Sequence, residues 1–565
     1  MPQRALCAPW LSSKNKKEFA VRLSALLTVA ICLASASVVA ADRPNILLIV
    51  ADDLGYSDLG AFGGEIETPN LDRMAVNGLQ LTSMYAAPTC SPTRAMLMSG
   101  TDNHLAGLGT MGEAIQPFQR GKPGYEGYLN QQAHSIAQLL RDGGYRTSMV
   151  GKWHLGLAPE QGPDRRGFEQ SFTLLEGGGV HFKPTPGSKA KIEQITYREN
   201  GQPVELPEDF YSTDFYTDKL ISYLRAGEGS DKPFFAYAAF TSPHWPLQAP
   251  EPYLDKYRSR YDGGYDEVRA ARVARMKEKG LMPADFQAAA PLPVTAQLPG
   301  WKELNAQQRQ VEARKMEIYA AMVDNLDHNI GRLLDYLRES GQLDNTLIVF
   351  MSDNGAAGER HEVFYPAGPD TDNSLENIGR RGSQIDYGLR WAEVSATPMR
   401  LFKGTTAEGG ISVPAIVQLP VSLRRQGLER SVARVDDLAP TFLALASLPD
   451  PGDTYHGQAK HPITGRSMLP MLQGKARHDG VMAGELFGSR YYREGDLKLL
   501  GLVPWAKPGE APQPLRWQLF DLSRDRGEQH DLADSQPQTM ERLKQAWQAY
   551  ARQVGVVAPP QAAKP

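Results

Sequence analysis

The chain is poor in cysteine. Its 565 residues include three, Cys7, Cys32 and Cys90, and the first two fall in an N-terminal stretch that reads as removable. One thiol then remains with nothing to pair with, which excludes a disulfide framework. An excess of charge is also missing: 61 Lys and Arg face 65 Asp and Glu, a formal net charge of −4. That balance argues against a nucleic-acid binder. No internal repeat is present, and the only long apolar run spans residues 23–40. What is there is a globular chain, 41% hydrophobic, long enough for a large core and a second small domain.

The run at 23–40 follows Lys14, Lys16, Lys17 and Arg22 and ends among Ala34, Ala36 and Ala40 ahead of Asp42. This layout predicts a signal peptide over residues 1–41, with an N-terminal membrane anchor as the alternative reading. Cleavage would remove more positive than negative residues and leave a more acidic mature chain. The expected location is the periplasm or the medium, without stable membrane association.

Residues 45–50 form a continuous, β-branched apolar run that stops at Asp52-Asp53, as a strand buried on both faces would. The pattern recurs. Residues 147–150 lead into Lys152 and His154, 234–240 into His244, and 346–351 into Asp353-Asn354. Ligands of open α/β sheets bind at the C-terminal ends of strands, so four strands ending in polar groups predict one shared site. Met316, Tyr319, Val323, Leu326, Ile330, Leu333 and Leu337 repeat at helical spacing and predict an amphipathic crossover helix packed on the sheet.

The charged, alanine-rich stretch 257–310 reads as solvated helices at the sheet's edge. Residues 356–397 read as a loop whose Phe364, Tyr365, Tyr387 and Trp391 would suit a wall above the site or a self-packed surface loop. From about residue 480 the pattern turns to short alternating strands, then a helical stretch over 540–554. The organisation expected is a catalytic domain over 42–479, a small α+β subdomain over 480–553 and a disordered tail over 554–565.

Asp52, Asp53, Asp353 and Asn354 offer oxygen ligands alone, the preference of a hard cation such as Ca²⁺ or Mg²⁺. Taken singly, each such pair reads as a turn or helix cap; shared placement at strand ends favours metal. Pro92 suits a first helical turn, so Cys90 should open a helix where free backbone N–H groups attract an anion, with Arg94 one turn on. Lys152 and His154, two apart, would project to one side of an extended backbone. His104, His181 and His328 read as structural.

Two strings carry a resemblance. Cys90-Ser91-Pro92-Thr93-Arg94, continued by Ala95-Met96-Leu97-Met98-Ser99-Gly100, and the segment running from Gly144 through Lys152-Trp153-His154-Leu155-Gly156, resemble the two signatures of the formylglycine-dependent sulfatases. The likeness is nearest to the bacterial arylsulfatase branch. It implies an alkaline phosphatase/sulfatase-like fold, a large mixed β-sheet sandwiched by helices with a small C-terminal α+β domain, and a formylglycine (3-oxoalanine) made from Cys90 by a formylglycine-generating enzyme.

The resemblance further implies one Ca²⁺ ion held by Asp52, Asp53, Asp353, Asn354 and the modified Cys90. Arg94 would stabilise the hydrated aldehyde, and Asp353 would help to activate its attacking hydroxyl. Lys152 and Lys403 would bind the sulfate of a small-molecule ester, His154 would take a proton during sulfate release, and His244 would stand near the leaving oxygen. The implied activity is hydrolysis of aryl sulfate monoesters. A phosphonate monoester or phosphodiester hydrolase of the same superfamily is the alternative, with Lys152 and Lys403 favouring sulfate over a second metal. A non-enzymatic sulfate-binding protein is the reading from another class.

Overall fold

The computed structural model describes residues 43–358, 367–478, 480–503 and 515–558. The expected signal peptide, together with Phe364 and Tyr365, lies outside the described residues. Among those described, no helix is long and apolar enough to cross a membrane.

Among the described residues, the main sheet has eleven strands. In chain order they are β1 (Asn45–Ala51), β2 (Leu79–Tyr85), β3 (Arg146–Lys152), β4 (Gln170–Leu174), β5 (Tyr197–Glu199), β6 (Gln202–Pro203), β7 (Phe234–Ala239), β8 (Thr346–Ser352), β9 (Ser412–Gln418), β10 (Gly427–Glu429) and β11 (Ala433–Arg434). They run in the order β10-β2-β9-β8-β1-β7-β3-β4-β5-β6, with β11 beside β2. The sheet is mixed: β8, β1, β7, β3 and β4 are parallel neighbours, while β9 is antiparallel to both β8 and β2.

The four strands read from sequence are thus four consecutive parallel strands at the sheet's centre. Register then fixes the site. Ala51 pairs with Ser352, Val50 with Ala239, and Ala239 with Gly151. Asp52, Asp353 and Lys152 therefore leave the sheet at one level, although they are hundreds of residues apart. Gly151 is needed for that approach: it sits at φ +94°, and a Cβ there would lie 1.9 Å from the Ala239 carbonyl oxygen.

Why both faces are covered is visible in β1 itself. Leu47, Ile49 and Ala51 join a core with the helices Pro69–Asn77, Ser212–Arg225 and Ala306–Glu339. Ile46, Leu48 and Val50 join another with Cys90–Ser99, Ile136–Asp142 and Leu438–Leu445. Alternation along one strand feeds two apolar layers, each fully buried Leu, Ile or Val contributing about 1.5–3 kcal/mol. The expected crossover helix is Ala306–Glu339, and its predicted apolar stripe is buried.

Two expectations need correction. The stretch 257–310 is not wholly solvated: Arg272, on the helix Gly264–Glu278, is fully buried and binds Glu65 at 2.7 Å. Nor is 356–397 a loop throughout. Gly388–Ser395 is a helix, Trp391 is core against Tyr261, Tyr265 and Trp301, and Tyr387 stacks on Tyr319, so these rings line no wall above the site.

A small hairpin pairs β12 (Thr454–Tyr455) with β13 (Gln458–Ala459), and near the C-terminus comes an antiparallel sheet of β14 (Val481–Leu486), β15 (Ser489–Glu494), β16 (Leu497–Leu502) and β17 (Arg516–Asp521). One face takes the helix Pro537–Val554 through Leu543 and Trp547; the other meets Tyr85, Ala407 and Ile411. Between the sheets, fully buried Lys498 bridges Glu408 and Glu528, each at 2.8 Å. Beyond the helix, the Val557 N–H donates to the Tyr125 hydroxyl at 3.0 Å.

Candidate active site

Cys90 is the first residue of the helix Cys90–Ser99. Thr89, preceding it, makes no side-chain cap, so the free N–H groups of the first turn remain at the thiol's end of the helix. Burial pushes the Cys90 thiol well up, against the pull of Lys152 and Lys403 and with Asp353 and Asp52 adding to the rise. A neutral thiol is the result. Its Sγ lies 3.5 Å from Asp52 Oδ1 and 4.0 Å from Asp53 Oδ1.

Buried carboxylates surround it, and each has a cation. Lys152 Nζ, from the end of β3, donates to Asp52 Oδ2 at 2.7 Å; Lys403 Nζ donates to Asp53 Oδ2 at 3.0 Å. Arg94 donates from Nε and Nη2 to Asp353 Oδ2 at 3.0 and 2.8 Å, and from Nη1 to the Lys152 carbonyl at 3.0 Å. Buried charges of this kind persist only when paired, and pairing here uses residues from five separate segments. Burial would push the Asp53 carboxyl up, but the ammonium groups of Lys403 and Lys152 outweigh it and hold it well below the usual range. Asp353 goes the other way, raised by burial and by Asp52 despite Arg94. Burial would push the Lys152 ammonium down, and Asp52 more than offsets it.

His244 lies in a loop whose Ser242-Pro243 and Trp245-Pro246 bonds are both cis. Its Nδ1 meets the Trp245 carbonyl at 2.6 Å, which places the hydrogen on Nδ1 and turns Nε2 toward Asp53 Oδ2 at 3.5 Å. Burial pushes this imidazole down to about 3, with Asp53 opposing, so it is neutral. His181, read as structural, holds the loop: Nε2 meets the His244 carbonyl at 2.8 Å and Nδ1 the Ser212 hydroxyl at 2.9 Å. His104 sits between Asp102 and Glu485, and His328 is exposed, as structural residues.

The extended backbone expected through Lys152-Trp153-His154 is not formed, because His154 adopts φ +54°. Its ring Nε2 meets Glu113 Oε1 at 3.1 Å. Glu113 and the run Gly177-Gly178-Gly179 were not found from sequence. Glu113 sits in a 3₁₀ turn without a motif, and the glycines act by what they lack: a Cβ on Gly177 would lie 2.6 Å from His154 Cε1, and one on Gly178 2.8 Å from His244 Cε1. Adjacent glycines thus connect the two histidines.

Ligand-offering atoms of Asp52, Asp53, Cys90 and His244 lie within 4.8 Å of one another, a cluster that adds nitrogen and sulfur to the oxygens expected. Asn354 donates from Nδ2 to Asp53 Oδ1 at 2.7 Å, while its Oδ1 is buried without a hydrogen-bond partner. A buried, unsatisfied amide oxygen beside buried carboxylates fits a hard cation.

The sulfatase family profile matches residues 44–448. The chain is 44% identical over 536 residues to an uncharacterized sulfatase of Schizosaccharomyces pombe, across 92% of this chain and 95% of that one. It is 37% identical over 469 residues to an arylsulfatase of Klebsiella aerogenes, across 82% and 98%. Its fold is similar to the crystal structure of Ps i-CgsB in complex with k-i-k-neocarrahexaose, with a TM-score of 0.62 and 26% identity over 90% of this chain and 93% of that one. By profile, by relatives and by fold, this chain belongs to the sulfatase family and is a sulfuric ester hydrolase.

Proposed function

We propose that this chain hydrolyses aryl sulfate monoesters to a phenol and inorganic sulfate by S–O cleavage, with Cys90 converted to formylglycine and one Ca²⁺ ion bound. The observation that carries this reading is the setting of Cys90: a buried, neutral thiol at a helix N-terminus, among Lys152, Lys403, Asp52 and Asp353. A thiol held neutral is a poor nucleophile. The aldehyde made from it supplies, when hydrated, a hydroxyl nucleophile that needs no thiolate. A formylglycine-generating enzyme is the partner this maturation requires.

Asp52, Asp53, Asp353 and Asn354 would hold the ion, which when bound supplies Lewis-acid polarisation of a sulfuryl oxygen. The ammonium groups of Lys152 and Lys403 stabilise charge on the nonbridging oxygens. Arg94 fixes Asp353 by two hydrogen bonds and so orients that carboxylate beside position 90, where it can take a proton. His154 accepts the proton of the remaining hydroxyl at position 90 as the aldehyde C=O re-forms and the C–O bond to sulfate breaks. His244, with Nδ1 committed to the Trp245 carbonyl, would present Nε2 to the leaving oxygen and must be protonated there to donate. A sulfate ester's negative charge opposes what burial does to that imidazole.

The aryl preference is supported by the Klebsiella arylsulfatase, and location in the periplasm or medium by the pattern of residues 1–41. The test is hydrolysis of a phenyl sulfate in water carrying heavy oxygen. Label in sulfate and none in phenol is expected; label in phenol would mean C–O cleavage and sink the reading.

A further inference from the structure

The environment of His154 is built from two sides. Glu113 approaches from the 3₁₀ turn Gly112–Ala114, its Oε1 3.1 Å and Oε2 3.4 Å from His154 Nε2. From the other side comes the backbone of Gly177, where a Cβ would lie 2.6 Å from Cε1, 2.7 Å from Nε2 and 3.2 Å from Glu113 Oε1. The ring is pinned between a carboxylate and a chain too close for any side chain. Its remaining polar atom, Nδ1, is buried and has no hydrogen-bond partner among the described residues.

We propose that Glu113 is a positioning residue that fixes His154 in the tautomer protonated at Nε2 and bare at Nδ1, making Nδ1 the atom that accepts the proton during sulfate release. An ionised carboxylate can only accept, so the hydrogen it shares with the ring resides on Nε2. Neutral imidazole carries one such hydrogen. Nδ1 is therefore a lone pair, and leaving a buried acceptor unmade costs about 1–3 kcal/mol unless a reacting group uses it. Once Nδ1 takes its proton, the adjacent carboxylate stabilises the imidazolium, as the aspartate of a catalytic triad does.

Both carboxylate oxygens of Glu113 face Nε2, at 3.1 and 3.4 Å, so the ring hydrogen between them is the one on Nε2. The rival is an ordinary cleft-edge ion pair, since the Glu113 side chain is 46% exposed, and such pairs contribute little. The proposal rests on the reading that His154 acts on a proton in sulfate ester hydrolysis.

The experiment compares full mature enzyme with Glu113→Ala, Glu113→Gln, Glu113→Asp, His154→Ala and the Glu113→Ala/His154→Ala double variant. The ring-nitrogen NMR signals of His154, assigned by their loss in His154→Ala, should show a protonated Nε2 and bare Nδ1 in the parent. Glu113→Ala should mix the tautomers, and kcat for a phenyl sulfate should fall about 100-fold with KM within about twofold. Glu113→Asp should recover part of the loss. In the His154→Ala background, Glu113→Ala should cost less than about twofold.

Unchanged His154 signals in Glu113→Ala, a kcat within about twofold of the parent, or additive losses in the double variant would overturn the proposal and leave the sulfatase reading standing. An unaltered kcat in His154→Ala would instead remove the proton role itself, and both would fall.

Discussion

Lys403 Nζ lies 2.9 Å from Oδ1 and 3.0 Å from Oδ2 of Asp53, a buried pair spanning 350 residues of chain. The same carboxylate is a proposed ligand of the cation, so the lysine and the ion would draw on one charge. Lys403→Met should therefore tighten Ca²⁺ binding about tenfold while weakening product inhibition by sulfate. Calorimetric titration of metal-stripped protein and sulfate inhibition constants measure the two effects. Weaker calcium binding in the variant would contradict the shared-charge account.

The tautomer of His244 makes its role dependent on the leaving group. Phenols of low pKa depart unaided and poor ones need a donor, so His244→Ala should steepen the dependence of kcat/KM on leaving-group pKa. If Lys152 holds the nonbridging oxygens as proposed, Lys152→Ala should lower all substrates evenly. A series of substituted phenyl sulfates with chemistry rate-limiting separates them, and parallel slopes for His244→Ala and the parent would refute the acid role.

Gly178 should be intolerant of a single methyl group. A Cβ there would stand 2.8 Å from Cε1 and 3.2 Å from Nδ1 of His244, displacing the ring that meets Trp245. Gly178→Ala should lower kcat/KM about tenfold for poor leaving groups and less for good ones, without loss of melting temperature. Equal activity on both classes would show that the ring is not held there.

A stability test comes from His104, far from the chemistry. Burial pushes this imidazole down, but hydrogen bonds to Asp102 and Glu485 more than offset it and raise it to about 9. A raised folded-state value means the contribution is full below the unfolded value, about 6.5, and is lost as pH rises through 9. The shift corresponds to roughly 3 kcal/mol. The melting-temperature margin of the parent over His104→Gln should be greatest near pH 6 and shrink by pH 10. A margin independent of pH would mean that the His104 charge contributes nothing.

What could be read from sequence follows physical signal. β1, β7 and β8 were legible because strands buried on both faces are continuous apolar runs, and their polar ends stood out against them; β3, with Thr147 and Ser148, was legible by its polar end alone. Register, which levels Asp52 with Lys152 and Asp353, is a long-range property with no local trace. Trp391 and Tyr387 were misplaced because an eight-residue helix buried among aromatic rings carries too few turns to show a period. The resemblance pointed to His244, but its closeness to Asp53 and Cys90 has no trace in the sequence. Glu113 had no signal: it lies 41 residues from His154 on a turn, and only the folded cleft brings the two together.

The central claim is that position 90 acts as an aldehyde and not as the thiol. Intact mass and peptide mapping across Cys90, on preparations matured to different extents, test it most directly. The account predicts formylglycine at position 90, specific activity rising in proportion to its fraction, and a folded but inactive Cys90→Ala variant. Full activity from protein carrying only the thiol at position 90 would contradict it.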